Sequence, residues 1–202
     1  MTGPADAGSQ GAATDALAAE APSAVRYGGP VPRLQDVAPA DRLVPAPASI
    51  VELSGDGFRI GPRTRVVVDG GAAAVRVAHD LARQLRRSTG FALPVLERSQ
   101  APRDALVLRT RRADLPAATG REGYRLVVRP ERVVIDARRA AGLFRGTQTL
   151  RQLLPPQIES RVEQPGPWTL AAVRIVDHPR FAYRGAMLDV VRHFQTVAEV
   201  KR

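Results

Sequence analysis

The sequence predicts an α+β domain, a mixed, partly antiparallel sheet with two helices gathered on one face, and three observations predict it. Two stretches, residues 72–87 and 140–154, repeat apolar residues at helical spacing. Short segments rich in β-branched and aliphatic residues surround them, each too brief for a helix. Two of these segments, 124–128 and 132–136, are separated only by Arg129-Pro130-Glu131, a spacing that makes a compact hairpin and so an antiparallel pair.

Taken in order, residues 1–41 are rich in Ala, Gly, Pro, Ser and Asp and poor in aromatic and β-branched side chains. Such a segment cannot bury enough apolar surface to offset the entropy of ordering, so a disordered leader is expected. From Leu43 the texture changes. Val44-Pro45-Ala46-Pro47 is an extended lead-in, because each proline drives its predecessor toward β or polyproline geometry. Strands are expected at 58–60 and 65–68. The first helix, 72–87, places Val75, Ala78, Leu81, Ala82 and Leu85 on one face and arginines on the other, and Gly90 is its stop signal. Strands at 93–96 and 105–109 follow, then the hairpin. The second helix, 140–154, sets Leu143, Thr147, Leu150 and Leu154 on one face and stops at Pro155-Pro156, since proline cannot continue it. After a polar loop at 157–166, residues 168–176 read as extended and carry the chain out of this domain. Residues 185–189 look like one further strand, and Thr196 is placed to cap a helix starting at Val197.

Length and composition exclude several classes of function. A chain of 202 residues with 44% hydrophobic content can hold one ordinary core. The net charge of +10 raises the question of nucleic acid, but the cations fall in short separate runs and aromatics make up only 4%, too few for base stacking. No nucleic-acid partner is expected. No stretch approaches the ~18 apolar residues of a membrane span. The first residues also lack the basic and apolar regions of a secretory signal, so neither membrane contact nor export is supported by the sequence. Without cysteine there are no disulfides or thiolate metal sites. Gly142 to Thr147 lacks the lysine and spacing of a phosphate loop, and its glycines are read as easing helix packing; no cofactor is expected.

The densest run of chemistry is Asp177-His178-Pro179-Arg180-Phe181-Ala182-Tyr183-Arg184-Gly185-Ala186-Met187-Leu188-Asp189-Val190-Val191-Arg192-His193-Phe194. Upstream stand Glu122-Gly123-Tyr124 and Ala141-Gly142-Leu143-Phe144-Arg145-Gly146-Thr147-Gln148-Thr149-Leu150-Arg151-Gln152-Leu153-Leu154-Pro155. In content and order these runs resemble the β-N-acetylhexosaminidases of glycoside hydrolase family 20. The first run resembles the opening of the catalytic barrel, and the others the non-catalytic N-terminal domain of the bacterial enzymes. The resemblance implies a zincin-like domain over 42–176, then a linker and the first strand of a truncated (β/α)8 barrel over 177–202.

The activity implied is removal of terminal N-acetylglucosamine or N-acetylgalactosamine from glycoconjugates or chitooligosaccharides. The substrate's own 2-acetamido oxygen acts as nucleophile, with retention of configuration. In the family an adjacent Asp-Glu pair on a later strand protonates the leaving oxygen and orients the acetamido group; this chain has no such pair, hence no catalytic residue. A barrel needs about 250 residues. The chain is therefore expected to be a fragment, inactive alone, whose partner is the missing barrel.

By the same resemblance Arg184 is the substrate-binding arginine that holds sugar hydroxyls, for which a planar fork of donors is suited. On residue type alone it is a structural arginine paired with a carboxylate. Asp189, Arg192 and His193 are expected to support the first barrel loop rather than touch the substrate. A zincin-like fold prompts a search for metal ligands, but His79, His178 and His193 are isolated and no His-Glu-x-x-His occurs. No metal site is expected, and His79 is placed on the exposed flank of its helix. The competing reading is a stand-alone carbohydrate-binding or protein-interaction module. That would require an exposed aromatic platform from among Phe58, Phe91, Tyr124, Phe144 and Trp168.

Overall fold

The computed structural model describes residues 38–97, 103–110 and 115–201. All of these lie within one compact unit, Arg33–Arg202. The expected leader falls outside the described residues except for its last four, 38–41, and a 3-10 turn, Pro39–Arg42, runs from there into the domain.

Among the described residues, seven strands make one mixed sheet and two make a second. The large sheet contains β1 (Ser49–Glu52), β3 (Arg65–Asp69), β4 (Val95–Glu97), β5 (Ala105–Arg109), β6 (Tyr124–Arg129), β7 (Arg132–Ala137) and β9 (Val173–Asp177), in the order β1-β9-β6-β7-β5-β3-β4. The small sheet pairs β2 (Phe58–Ile60) with β8 (Trp168–Leu170), antiparallel. The expected hairpin forms, with Arg129 opposite Arg132. On its β6 side the pairs β6/β9 and β9/β1 are antiparallel as well, whereas β7/β5, β5/β3 and β3/β4 are parallel.

The 18-residue helix α1 (Ala72–Thr89) makes the crossover between parallel neighbours β3 and β4, a connection that such a pair requires. It ends where Gly90 turns left-handed, at φ 70°, and the Gly90 N–H bonds back to the Arg86 carbonyl. Its face of Ala78, Leu81, Ala82 and Leu85 is buried as the spacing requires, and His79 is exposed. Helix α2 (Ala140–Leu153) stops because Leu154, extended before Pro155, cannot take helical geometry. Its Leu143, Thr147 and Leu150, and Leu154 just after it, are buried. Both helices pack on the sheet face that carries Val66, Val68, Leu106, Leu108, Val133, Ile135 and Leu126, and this is the main core. The opposite face holds a smaller apolar group around Val67, Ala105 and Val107, and beside it Asp136. Asp136 accepts Arg109 Nε at 2.7 Å and Arg125 Nη2 at 3.1 Å, so a buried carboxylate joins three adjacent strands.

Two expectations need correction. The strand expected at 93–96 starts only at Val95, because Leu93 has φ 38° and turns the chain before it can pair. Arg86 holds that turn by donating to the carbonyls of Ala92 and Leu93. Residues 185–189 form no strand; they are exposed and meet no partner strand, and an apolar run becomes a strand only where a neighbour supplies hydrogen bonds. The short helix α3 (Val197–Val200) does form, with Thr196 and Glu199 in a reciprocal capping box.

Candidate functional site

At one end of the large sheet lies a cleft of about 770 Å³. Its walls are the proline-rich lead-in at 43–48, the polar side of α2, and residues 177–181 as they leave β9, with Arg184 beyond them. Hydrogen bonds tie both ends of the domain to this wall. Gln152 clamps Val44, its Oε1 accepting the Val44 N–H at 2.9 Å and its Nε2 donating to the Val44 carbonyl at 3.1 Å. Asp177 Oδ1 accepts the Ala48 N–H at 3.0 Å, while Oδ2 accepts the Tyr124 hydroxyl at 3.2 Å.

Tyr124 opens β6 on the helix face, and its ring is buried. Its hydroxyl lies 2.5 Å from Thr149 Oγ1. Burial pushes the phenol above its usual range, outweighing the Thr149 bond, and the nearby Asp177 carboxylate pushes the same way. The two residues before it are set by a tight turn. The Gly123 N–H bonds to the Thr119 carbonyl, and a Cβ on Gly123 would stand 2.2 Å from that same oxygen, so only glycine fits. The Gly123 carbonyl in turn lies against α2, where a Cβ on Gly142 would come within 2.3 Å of it. The glycines of the 142–147 run thus let the helix approach the sheet closely, as expected.

This turn presents Glu122 to two arginines. Oε2 accepts Arg145 Nε at 3.2 Å and Nη2 at 3.1 Å from α2, and Arg184 Nη2 at 2.6 Å from the outgoing segment. Arg184 also donates through Nη1 to the Phe181 carbonyl at 2.6 Å. The Arg184 hydrogen bond holds the Glu122 carboxyl below the usual carboxylate range, with Arg145 adding to it against an opposing desolvation cost.

Arg184 therefore stands at the rim of the cleft with a carboxylate partner. Asp189, Arg192 and His193 are not brought to it. Asp189 pairs with Arg192 at 3.3 Å and accepts the Val191 N–H, all on the exposed outgoing segment, and His193 is exposed there too. The sequence reading missed Glu122, Arg145 and Asp177 as members of this cluster. The one local sign was the Glu122-Gly123-Tyr124 run at the start of a strand. Phe58, Tyr124 and Trp168 belong to the core, so the aromatic platform of the competing module reading is not assembled from them. Among the described residues, no three His, Cys, Asp or Glu side chains gather to hold a metal ion.

Residues 40–178, which include the cleft's lead-in, Glu122-Gly123-Tyr124, α2 and β9, match the profile of glycosyl hydrolase family 20, domain 2. The chain belongs to glycosyl hydrolase family 20. Its relatives are β-N-acetylhexosaminidases. It is 41% identical over 160 residues to the β-N-acetylhexosaminidase of Cellulomonas fimi, a match covering 79% of this chain and 30% of that protein. The solved family 20 β-N-acetylhexosaminidase of Streptomyces coelicolor A3(2) superposes with a TM-score of 0.72 at 49% identity, over 81% of this chain and 32% of that one. A variant Streptomyces plicatus β-hexosaminidase solved with its product GlcNAc gives 0.71 at 49% identity, over 81% and 31%. The family 20 chain described here thus spans about a third of these relatives, in their N-terminal part.

Proposed function

We propose that this chain is the N-terminal portion of a β-N-acetylhexosaminidase that removes terminal N-acetylglucosamine or N-acetylgalactosamine by substrate-assisted, retaining hydrolysis. The sheet and its two helices form the zincin-like, non-catalytic buttress, bounded at residues 42–176. Residues 177–202 are the linker and the opening of the catalytic barrel, and Arg184 binds hydroxyls of the terminal sugar. The acetamido-orienting aspartate and the acid glutamate are the adjacent pair of a later barrel strand that this sequence does not include, so the chain does not hydrolyse substrate alone.

One observation carries the reading beyond family membership. The outgoing segment leaves the sheet with large apolar side chains in water: Met187 is 97% exposed, Val191 92% and Phe194 85%. With Leu188 and Val190 also exposed, five large apolar side chains within eight residues are left in water, which marks a segment whose packing partner lies elsewhere. It supports a barrel that covers these residues in the complete enzyme.

Two measurements test the proposal. The 202-residue chain should release no aryl group from an aryl N-acetylglucosaminide, and turnover that survives repurification would overturn the assignment of chemistry to the missing barrel. In the complete enzyme, Arg184→Lys keeps a positive charge but loses the two-pronged fork, and should cost about 1.5 to 3 kcal/mol in kcat/KM. Unchanged kinetics with a lowered melting temperature would make Arg184 a structural residue only.

A further inference from the structure

The contact between Glu122 and Arg184 has two possible meanings, an ordinary surface ion pair or a setting for a binding group. Exposed pairs of this kind contribute little to stability, so stability alone does not account for how it is built. Glu122 is doubly constrained. The turn behind it admits only glycine at position 123, and Arg145 fixes Oε2 through two N–H groups of one guanidinium. The same Oε2 then receives Nη2 of Arg184, while Nη1 is held by the Phe181 carbonyl. With both terminal nitrogens engaged, the plane of a rigid guanidinium is fixed. These two contacts use two of its five N–H donors, and Nε together with the second hydrogen of each terminal nitrogen remains. An arginine held in this way is oriented without being used up.

We propose that Glu122 is a positioning residue: supported by Arg145, it fixes the Arg184 guanidinium so that the remaining donors meet the hydroxyls of the terminal N-acetylhexosamine. The non-catalytic domain thereby takes part in substrate binding through one carboxylate. The inference rests on Arg184 being the sugar-binding residue, and the test separates the two.

The experiment is a double-mutant cycle in the complete enzyme with Glu122→Gln, Arg184→Ala and both together. It is read by kcat/KM on an aryl N-acetylglucosaminide, by calorimetric Kd for N-acetylglucosamine, and by melting temperature. Glu122→Gln should raise Kd and lower kcat/KM by about five- to tenfold in the Arg184 background, with little change in melting temperature. With Arg184 already replaced by alanine it should add nothing. Arg145→Gln, which loosens Glu122 without removing it, should move kcat/KM in the same direction by a smaller factor, and it serves if Glu122→Gln does not fold. If Arg184→Ala weakens sugar binding but Glu122→Gln does not, or if Glu122→Gln acts equally in both backgrounds, positioning is refuted and the role of Arg184 stands. If Arg184→Ala leaves Kd unchanged, the sugar-binding role fails and positioning falls with it.

Discussion

Substituting Gly142 by alanine puts two opposing effects of known size in competition. Alanine is the better helix former, worth about 1 kcal/mol over glycine inside a helix. Against this, the new methyl would stand 2.3 Å from the Gly123 carbonyl oxygen and 2.8 Å from Ala137 Cβ. An ordinary carbon–oxygen contact is about 3.3 Å, so α2 must retreat by roughly 1 Å or the turn before β6 must open. Neither is easy: the turn is closed by the Gly123 to Thr119 hydrogen bond, and α2 is seated on the sheet by Leu143, Gly146, Thr147 and Leu150. Overpacking of this kind costs about 2 to 3 kcal/mol, leaving a net loss of about 1 to 2 kcal/mol once the propensity gain is subtracted. For a domain of this size that lowers Tm by roughly 3 to 8 °C. The assay is thermal unfolding by circular dichroism, with Gly61→Ala as the comparison, because a Cβ there meets nothing within 4 Å. Gly61→Ala should leave Tm unchanged or raise it slightly. A Gly142→Ala protein as stable as the parent, or more so, would refute the close approach of α2 to the Glu122-Gly123-Tyr124 turn.

Tyr124→Phe should cost about 1 to 2 kcal/mol, because it leaves Thr149 and Asp177 without the buried hydroxyl they share. Since burial raises the Tyr124 phenol while the unfolded one ionises near pH 10, its contribution is complete below about pH 10 and is lost as pH rises further; the urea midpoint should fall there in the parent and less in Tyr124→Phe. Equal alkaline losses in both would overturn this. Asp136→Asn should lower stability by about 1 to 3 kcal/mol by chemical denaturation, since the buried carboxylate receives both Arg109 and Arg125; the two arginines are part-exposed and can turn to water, which limits the loss. Limited proteolysis should leave a resistant core spanning about residues 43–176, read by mass spectrometry, and early cuts within 124–136 would contradict those boundaries.

The elements legible in the sequence were those whose burial repeats over several turns or pairs. Helix α1 betrays itself through Val75, Ala78, Leu81 and Leu85, and α2 through Leu143, Thr147 and Leu150. The hairpin is visible because its two strands are neighbours in the chain. Strand β1 was not legible: it has four residues, directly follows the proline-rich lead-in, and finds its partner only at β9. In the small sheet the strand at 58–60 and the extended run from Trp168 were legible, but their pairing, where Phe58 meets Leu170, was not, because the partners lie far apart in the chain. Residues 185–189 show the converse, a strand-like pattern without a partner. At the cleft, Arg184 was singled out by its motif, but Glu122 lies 62 positions away and nothing local marks their contact.

The pairing of the first strand with the last sets the order in which this domain can assemble. Ala48 and Asp177 bond across 129 positions, and closing a loop of that length costs about 4 kcal/mol in chain entropy before any pairing is gained. During synthesis the α1 crossover and the hairpin can form early from nearby partners, whereas β1 waits at the edge for β9 to emerge. Asp177 ends β9 and also begins the outgoing segment. The step that completes the sheet is therefore the one that brings Arg184 within reach of Glu122, so the guanidinium is set only in molecules whose sheet has closed.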